Sequence, residues 1–250
     1  MQLDKHRAVV LAGGRGRRLA PYTSVLPKPL MPIGDRAVLE IVVQQLASYG
    51  FTDITFCVGY LSHLIRAIFD SRADLGVKIS YVHEESPLGT AAPLRLVDGL
   101  DDTFILMNGD VLTTLDYRDL LRSHCESGNA VTVATMQRTV EIGYGVVHVG
   151  NSAGAGRVEA YEEKPEIASL VSMGIYAMEP SIIDFIPTDV YFDFPDLIQA
   201  LLAAEQPVGI YTHDGLWFDI GRRDDYELAV ASWAVADGGL GALADVPARP

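Results

Sequence analysis

The stretch "RAVVLAGGRGRRLAPYTSVLPKPL", residues 7–30, joins an apolar run to a loop rich in glycine, proline and arginine. The run "RAVVLA" is apolar throughout, which is typical of a strand buried on both faces of a parallel sheet. Residues 11–34 hold four glycines, four prolines, three arginines and one lysine, in a chain of formal net charge −14. Glycine backbone N–H groups after such a strand can approach a phosphate closely. The alternative is a tight surface turn with solvated arginines.

Outward from this loop, short apolar runs alternate with helical periodicity. The first half predicts strands at 7–12, 53–60, 77–83 and 103–110 and helices at 37–50, 61–69 and 90–100. The second half predicts strands at 130–137, 144–150, 157–163 and 171–178 and helices at 194–205 and 223–236. The alternation predicts an α/β fold with three αβα layers and a Rossmann-like, mixed but mostly parallel central sheet. Such sheets bind ligands outside the carboxyl ends of their strands, where the loop lies.

Composition excludes several classes of function. The net charge of −14 argues against wrapping nucleic acid, which needs a basic surface. Cys57 and Cys125 show no metal or redox spacing, so we expect free thiols in a reducing compartment. No apolar run is long enough for a membrane span and no signal-peptide core precedes the first strand, so we expect a cytoplasmic protein that binds no membrane.

The loop matches neither of two familiar phosphate-binding motifs. The dinucleotide fingerprint needs a third glycine before the helix, but Gly14 and Gly16 are followed by Arg17, Arg18 and Leu19. A P-loop needs Gly-Lys-Ser/Thr, which is absent. On its own, the loop therefore leaves the solvated surface turn open.

Six motifs together resemble one family. The stretch "GGRGRRLAPYTSVLPKPLMPIG" resembles the signature G-G-x-G-T-R-L-x-P-x-T-x-x-x-P-K-P-L-x-P of sugar-1-phosphate nucleotidylyltransferases. Further along, "EESPLGTAAPL", "LMNGDV", "YGVV", "EEKP" and "GLWFDIG" follow in that family's order and extend the resemblance over roughly residues 7 to 226. Within that family, the residues of these motifs are most similar to those of mannose-1-phosphate guanylyltransferases. The resemblance implies the nucleotide-diphospho-sugar transferase fold.

The resemblance implies a nucleotide site formed by three segments. These are the glycine-rich loop after the first strand, the stretch "EESPLGTAAPL", which would contact the base, and the end of the fourth strand. The residues of the site would be Leu11, Ala12, Gly13, Gly14, Gly16, Arg17, Arg18, Glu85, Pro87, Gly89, Thr90, Asn108 and Gly109. Arg17 departs from the family pattern, which has threonine there, and is either a second phosphate contact or a solvated neighbour. A carboxylate at Glu85 suits guanine, whose N1–H and N2 amine are both donors; a solvated loop charge is the alternative.

The resemblance also implies the catalytic and metal-binding residues. Arg18 would brace the α-phosphate and the leaving pyrophosphate, and Lys28 would face the incoming phosphate. Asp110 and Asp219 each follow an apolar run and would hold Mg²⁺, which typically takes one or two carboxylates together with phosphate oxygens. Taken alone, Asp110 is a turn-forming residue of "NGD". Asp101, Asp102 and Asp116 are interpreted as cap and turn residues.

For the sugar phosphate, the resemblance implies Lys28, Gly145, Glu163, Lys164, Ser172 and Gly174. The alternative for Lys164 is an exposed loop lysine. Family members often have Asn-x-Gly where this chain has Ser172-Met173-Gly174. A shorter hydroxyl and a bulky thioether would reshape that wall, which favours a heptose, an octose or another modified sugar over mannose.

The expected protein is a Mg²⁺-dependent nucleotidylyltransferase that condenses an NTP, with GTP favoured, and a sugar 1-phosphate. The alternatives are a thymidylyl-, uridylyl- or cytidylyltransferase and a non-catalytic NDP-sugar-binding homologue; a glycosyltransferase would need an Asp-x-Asp motif where this chain has "NGD". We expect one domain over 1–236, divided at about residue 115 into nucleotide and sugar-phosphate halves, and a disordered tail over 237–250. Without a C-terminal repeat region, a monofunctional enzyme is expected, with a second copy of the chain as partner if it forms a homo-oligomer.

Overall fold

The central sheet combines strands from both halves of the chain. The computed structural model describes residues 6–150 and 156–235. Across the seven-stranded sheet the order is β12 (Val208–Thr212), β8 (Val131–Glu141), β11 (Glu166–Met178), β6 (Phe104–Asn108), β1 (His6–Leu11), β4 (Phe51–Val58) and β5 (Lys78–His83). Shorter pairs are β2 (Pro32–Ile33) with β3 (Arg36–Ala37), β7 (Val111–Thr113) with β13 (Trp217–Asp219), and β9 (Gly145–Val149) with β10 (Val158–Glu163).

All strands of the central sheet point the same way except β11. The pairs β1·β4, β1·β6, β4·β5 and β12·β8 are parallel, whereas β11 is antiparallel to both β6 and β8. In register, Leu11 lies opposite both Cys57 and Asn108, so the strands of the first half end together at one carboxyl edge. The predicted mixed, mostly parallel sheet is confirmed.

Helices cover both faces of the sheet, as the apolar strands require. The helices are α1 (Val38–Ser48), α2 (Ser62–Phe69), α3 (Tyr117–Ser127), α4 (Phe194–Ala203) and α5 (Arg223–Val235). Alternate residues of β1 face opposite cores, since Val10 packs with α1 and its neighbour Val9 packs with α4. Burying each such aliphatic side chain contributes about 1.5–3 kcal/mol. The three αβα layers are therefore confirmed.

Two helix predictions need correction. The expected helix at 90–100 is a short 3₁₀ turn over Ala92–Leu96, which ends where the chain becomes extended at Val97. The structure adds α3, which the sequence reading left out. Asp116 caps it, accepting the N–H of Arg118 at 2.8 Å, as its interpretation as a cap residue predicts.

The strands β8 and β11 run on past the sheet and pair with each other, with Glu141 opposite Glu166. The hairpin of β9 and β10 continues this ribbon. We refer to residues 137–149 and 158–170 as the arm. It leaves the sheet near the carboxyl end of β6 and exposes large apolar side chains, including Val140 and Tyr144.

Four further predictions concern the cysteines, membrane-spanning helices, the division of the chain and its C-terminal tail. Cys57 and Cys125 are both free. No helix among the described residues is long and apolar enough to cross a membrane. The division at about residue 115 stays a prediction, although β7 and β13 pair across it. The predicted tail lies outside the described residues.

Candidate active site

The glycine-rich loop after β1 lines a cavity of about 440 Å³ at the carboxyl edge of the sheet. The loop folds back on itself, because the Thr23 hydroxyl donates to the Gly16 carbonyl at 2.8 Å. A 3₁₀ turn over Arg17–Leu19 buries Leu19 and leaves both arginines exposed at the cavity. The predicted nucleotide residues on the cavity wall are Leu11, Ala12, Gly13, Gly14, Gly16, Arg17, Arg18, Pro87, Gly89, Thr90 and Asn108. Gly109 lies behind the wall, and its N–H donates to the Leu11 carbonyl at 2.9 Å.

Two aspartates and one lysine meet at the end of this cavity. Asp110 follows β6 and Asp219 ends β13, and the Ile220 N–H donates to the Asp110 carbonyl at 3.0 Å. The Lys28 ammonium contacts the Asp110 carboxylate and lies 3.6 Å from Asp219 Oδ1. Arg18 reaches Asp219 Oδ2 at 3.9 Å from the exposed side. The structure thus joins residues that are 191 positions apart in the sequence, Lys28 and Asp219.

Burial sets the electrostatics of Lys28. Its side chain is only 15% exposed. Burial lowers the pKa of Lys28 to about 8; attraction to Asp219 opposes this shift and repulsion from Arg18 adds to it. The Lys28 ammonium therefore loses its charge as the pH rises through about 8.

The donor set at Asp110 and Asp219 fits a hard divalent cation. Among the described residues there is no cluster of three or more His, Cys, Asp or Glu side chains suited to a metal. Two carboxylates that already share one ammonium nevertheless bracket a position for positive charge. Mg²⁺ is typically bound by one or two carboxylates and completes its shell with waters and substrate phosphates. The two aspartates therefore match magnesium better than zinc.

In the loop that follows β5, Glu84 lines the cavity and the predicted Glu85 does not. The Leu88 N–H donates to Glu84 Oε2 at 3.3 Å, and burial raises the pKa of Glu84. The absence of a side chain at Gly13 leaves room for this carboxylate, since a Cβ there would lie 2.6 Å from Glu84 Oε1. Glu85 lines a smaller adjoining cavity together with Arg15 and Tyr60.

The predicted sugar-phosphate residues are divided between two places. Lys28 is in the cavity, and Gly174 packs against the Asn108 side chain on its wall. The Ser172 hydroxyl donates to the Tyr176 hydroxyl at 3.1 Å. Met173 is buried in the core, so its thioether does not form the wall that the sequence predicts.

The other three predicted sugar-phosphate residues lie on the arm and do not line the cavity. Glu163 accepts a hydrogen bond from the Tyr161 hydroxyl at 2.9 Å, and the same phenol packs against Gly145. Lys164 follows with φ of 47° and an exposed side chain. The structure therefore gathers these three on the arm, apart from Lys28.

Comparison with known proteins assigns the family. A family model described as nucleotidyl transferase matches residues 7–234. The chain belongs to this family. A UTP–glucose-1-phosphate uridylyltransferase from Synechocystis sp. is 32% identical over 244 residues, covering 90% of this chain. A mannose-1-phosphate guanyltransferase from Pichia angusta is 33% identical over 231 residues, covering 88% of this chain.

These matches confirm the resemblance predicted from the motifs. The chain spans 62% of the length of each of these two relatives. Two solved structures share the fold of this nucleotidyl transferase with TM-scores of 0.70. One is a putative glucose-1-phosphate thymidylyltransferase from Bacillus anthracis in complex with a sucrose, 23% identical, covering 90% of this chain and 94% of its own. The other is HddC from Yersinia pseudotuberculosis complexed with GMP-PN, 22% identical, covering 91% and 99%.

Two further cavity residues, Tyr191 and Asp193, were missed by the sequence reading. Asp193 Oδ1 accepts both the backbone N–H and the hydroxyl of Thr90 at 3.0 Å, and Asp193 Oδ2 accepts the Tyr191 hydroxyl at 2.6 Å. Gly89 has φ of 95°, and a Cβ there would lie 2.5 Å from the Phe192 carbonyl. Asp193 precedes Phe-Pro at the start of α4, which signals a helix cap, but no local pattern indicates its pairing with Thr90.

Proposed function

We propose that this nucleotidyl transferase joins an NTP to a sugar 1-phosphate. A phosphate oxygen of the sugar 1-phosphate attacks the α-phosphorus and forms the new P–O bond. The bond from the α-phosphorus to the bridging oxygen breaks, and pyrophosphate leaves with its electron pair. The observation that carries the proposal is one cavity in which glycine backbone, Arg18 and Lys28 adjoin the carboxylates of Asp110 and Asp219.

The roles of the side chains follow from their charges. Arg18 is exposed at the cavity mouth, where it would bind the phosphates that leave. Lys28 is buried beside the carboxylates, where it would hold the two phosphates together against their mutual repulsion. Asp110 and Asp219 would hold Mg²⁺, which supplies charge neutralisation to the triphosphate when bound. Catalysis would rest on positioning and electrostatics, without a covalent enzyme intermediate.

We propose GTP as the nucleotide. Glu84 supports this choice because a carboxylate on the cavity wall can accept both the N1–H and the N2 amine of guanine. Relatives named mannose-1-phosphate guanyltransferases also support it, with 30–33% identity over 231 or 232 residues. The guanine contact that the motif comparison assigns to Glu85 is thus proposed for its neighbour Glu84.

UTP is the second candidate. The uridylyltransferase from Synechocystis sp. is as similar to this chain as the guanyltransferases are. Uracil offers one N3–H donor between two carbonyl acceptors, which would repel a carboxylate. Replacing Glu84 by Gln should therefore reduce activity with GTP more than activity with UTP.

For the second substrate, we propose a sugar 1-phosphate other than mannose 1-phosphate. Family members often have an asparagine amide at position 172. This chain has Ser172, whose hydroxyl is already hydrogen-bonded to Tyr176. Gly145, Glu163 and Lys164 are proposed to meet this substrate from the arm. Oligomerisation stays a prediction, and the free thiols Cys57 and Cys125 support the proposed cytoplasmic location.

The test is pyrophosphate release by the purified protein with Mg²⁺. Five NTPs (GTP, UTP, dTTP, CTP and ATP) would be crossed with hexose and heptose 1-phosphates. We expect the highest kcat/KM with GTP and a sugar other than mannose. No release from any pair, together with no change in Tm on adding any NTP with Mg²⁺, would overturn the proposed function. Thermal stabilisation by GTP without release would favour the non-catalytic homologue.

A further inference from the structure

Asp225 is a buried carboxylate behind the metal-binding pair. It lies in the first turn of α5 and is 2% exposed. An ionised carboxylate is rarely buried unless it is paired and hydrogen-bonded, since its desolvation is costly. The groups that it contacts therefore indicate what the charge is for.

The contacts of Asp225 Oδ2 include a backbone amide and a charged side chain. It accepts the backbone N–H of Asp219 at 3.2 Å and the guanidinium of Arg138 at 3.0 Å. Arg138 itself lies over the ring of Trp217, 4.8 Å from its centroid. One carboxylate thus joins α5 to β13 and, through Arg138, to the point where the arm leaves β8.

These contacts restrain Asp219. Asp225 holds the main chain of Asp219 at its N–H, and the Gly221 N–H donates to Asp219 Oδ1 at 2.8 Å. With both backbone and carboxylate held, Asp219 faces Lys28 in one orientation. A ligand that is already oriented loses less conformational entropy on binding a metal.

We propose that Asp225 is a positioning residue for Asp219, with Arg138 as its counter-charge. The inference rests on the proposed function, because Asp219 acts there as a magnesium ligand. Asp225 touches neither substrate nor metal in this account. Its removal should weaken metal binding while leaving both metal-binding carboxylates in the chain.

The test compares Asp225→Ala, which removes the acceptor of the Asp219 N–H, with Asp224→Ala, the same change at its exposed neighbour on the helix. Mn²⁺ binding to the full-length protein would be measured from the electron paramagnetic resonance signal of free Mn²⁺. The Mg²⁺ concentration for half-maximal pyrophosphate release would be measured in parallel. We expect about ten-fold weaker Mn²⁺ binding for Asp225→Ala, with turnover recovered at high Mg²⁺, and wild-type values for Asp224→Ala. Because metal binding also stabilises the folded state, the Tm of each variant without metal separates a packing defect from weaker metal binding.

A double variant covers the case in which Asp225→Ala fails to fold. Asp225→Ala combined with Arg138→Gln removes both charges, so Arg138 is not left without the carboxylate that it bonds. We expect this variant to fold and to bind Mn²⁺ still several-fold more weakly than wild type. Wild-type metal dependence in both Asp225 variants would overturn the inference alone. A wild-type protein that neither binds Mn²⁺ nor needs Mg²⁺ for turnover would overturn this inference and the metal assignment together.

Discussion

The first loop and the arm carry equally clear sequence motifs, but they differ in how they are held. The loop around Lys28 is fixed by hydrogen bonds and by contact with two aspartates, and Lys28 is 15% exposed. Lys164 on the arm is exposed, and its neighbour Glu163 bonds only to Tyr161 among the side chains described. The loop thus presents a preformed charge, whereas the arm presents residues with little packing around them. We infer that the two regions contribute differently to catalysis and binding.

The largest effect is expected for Asp110→Asn. Loss of this carboxylate removes a metal ligand and the closest partner of Lys28, so kcat should fall about a thousand-fold. Pyrophosphate release would be measured with Asp102→Asn, an exposed turn residue, as the control. Near-normal turnover in folded Asp110→Asn would refute the metal assignment.

Lys28→Gln tests the loop side of the comparison. We expect about a hundred-fold loss of kcat/KM, because a buried charge beside the phosphates stabilises the bound triphosphate and, to a further extent, the transition state. Its Tm would be measured alongside, because Gln leaves the buried Asp110 carboxylate without the ammonium that it contacts. A change in KM for the sugar phosphate alone would instead mean that Lys28 binds the sugar 1-phosphate, the role that we propose for Lys164.

Lys164→Gln tests the arm side. We expect KM for the sugar 1-phosphate to rise about ten-fold, the equivalent of one charge-assisted hydrogen bond, with KM for the NTP unchanged. Steady-state kinetics with each substrate varied in turn would show this. Equal effects on both substrates would mean that the arm also contacts the nucleotide.

The pH profile should show the titration of Lys28. With a pKa of about 8, the free enzyme loses this charge as pH rises through 8, so kcat/KM should fall above that pH. Bound phosphates raise the pKa, which should move the fall in kcat to higher pH. The folded pKa lies below the ordinary value of 10.5, so burying the ammonium destabilises the protein below pH 8, and this cost disappears between about pH 8 and 10.5. Lys28→Gln should abolish both effects; an unchanged profile would contradict the assignment.

The smallest effect is expected for Val140→Ala on the arm. Val140 is 62% exposed, so its truncation should change the free energy of unfolding by less than about 0.5 kcal/mol. Val42→Ala in α1, at a fully buried position, should cost about 2 kcal/mol. Denaturant unfolding would compare the two. A large loss for Val140→Ala would show that the arm is covered by something in solution.

The fold followed from the sequence where local signals agreed with packing. Apolar strand runs and helical periodicity predicted β1, β4, β5 and β6, and the helices α1 and α2 that follow β1 and β4. The apolar spacing over 90–100 also fits the short 3₁₀ turn at Ala92–Leu96, so spacing alone does not separate the two structures. In α3, the cap at Asp116 was recognised but the helix that follows was not.

The site was predictable to the extent that its residues lie at strand ends. The loop, Asn108 and Asp110 follow strands of one parallel sheet, so their convergence follows from topology. The carboxylate on the cavity wall is Glu84, which accepts the Leu88 N–H within the loop, and the sequence has no signal that separates it from Glu85. Tyr191, Asp193 and Asp225 depend on contacts between distant segments, for which the sequence has no local signal.

The most direct test of the account is equilibrium binding of GTP with Mg²⁺ to wild type, Lys28→Gln and Lys164→Gln. Isothermal titration calorimetry would give Kd for each protein without the sugar phosphate. We predict that Lys28→Gln binds at least ten-fold more weakly and that Lys164→Gln binds like wild type. Equal affinities for all three proteins, or a loss confined to Lys164→Gln, would contradict a preformed triphosphate site at the first loop.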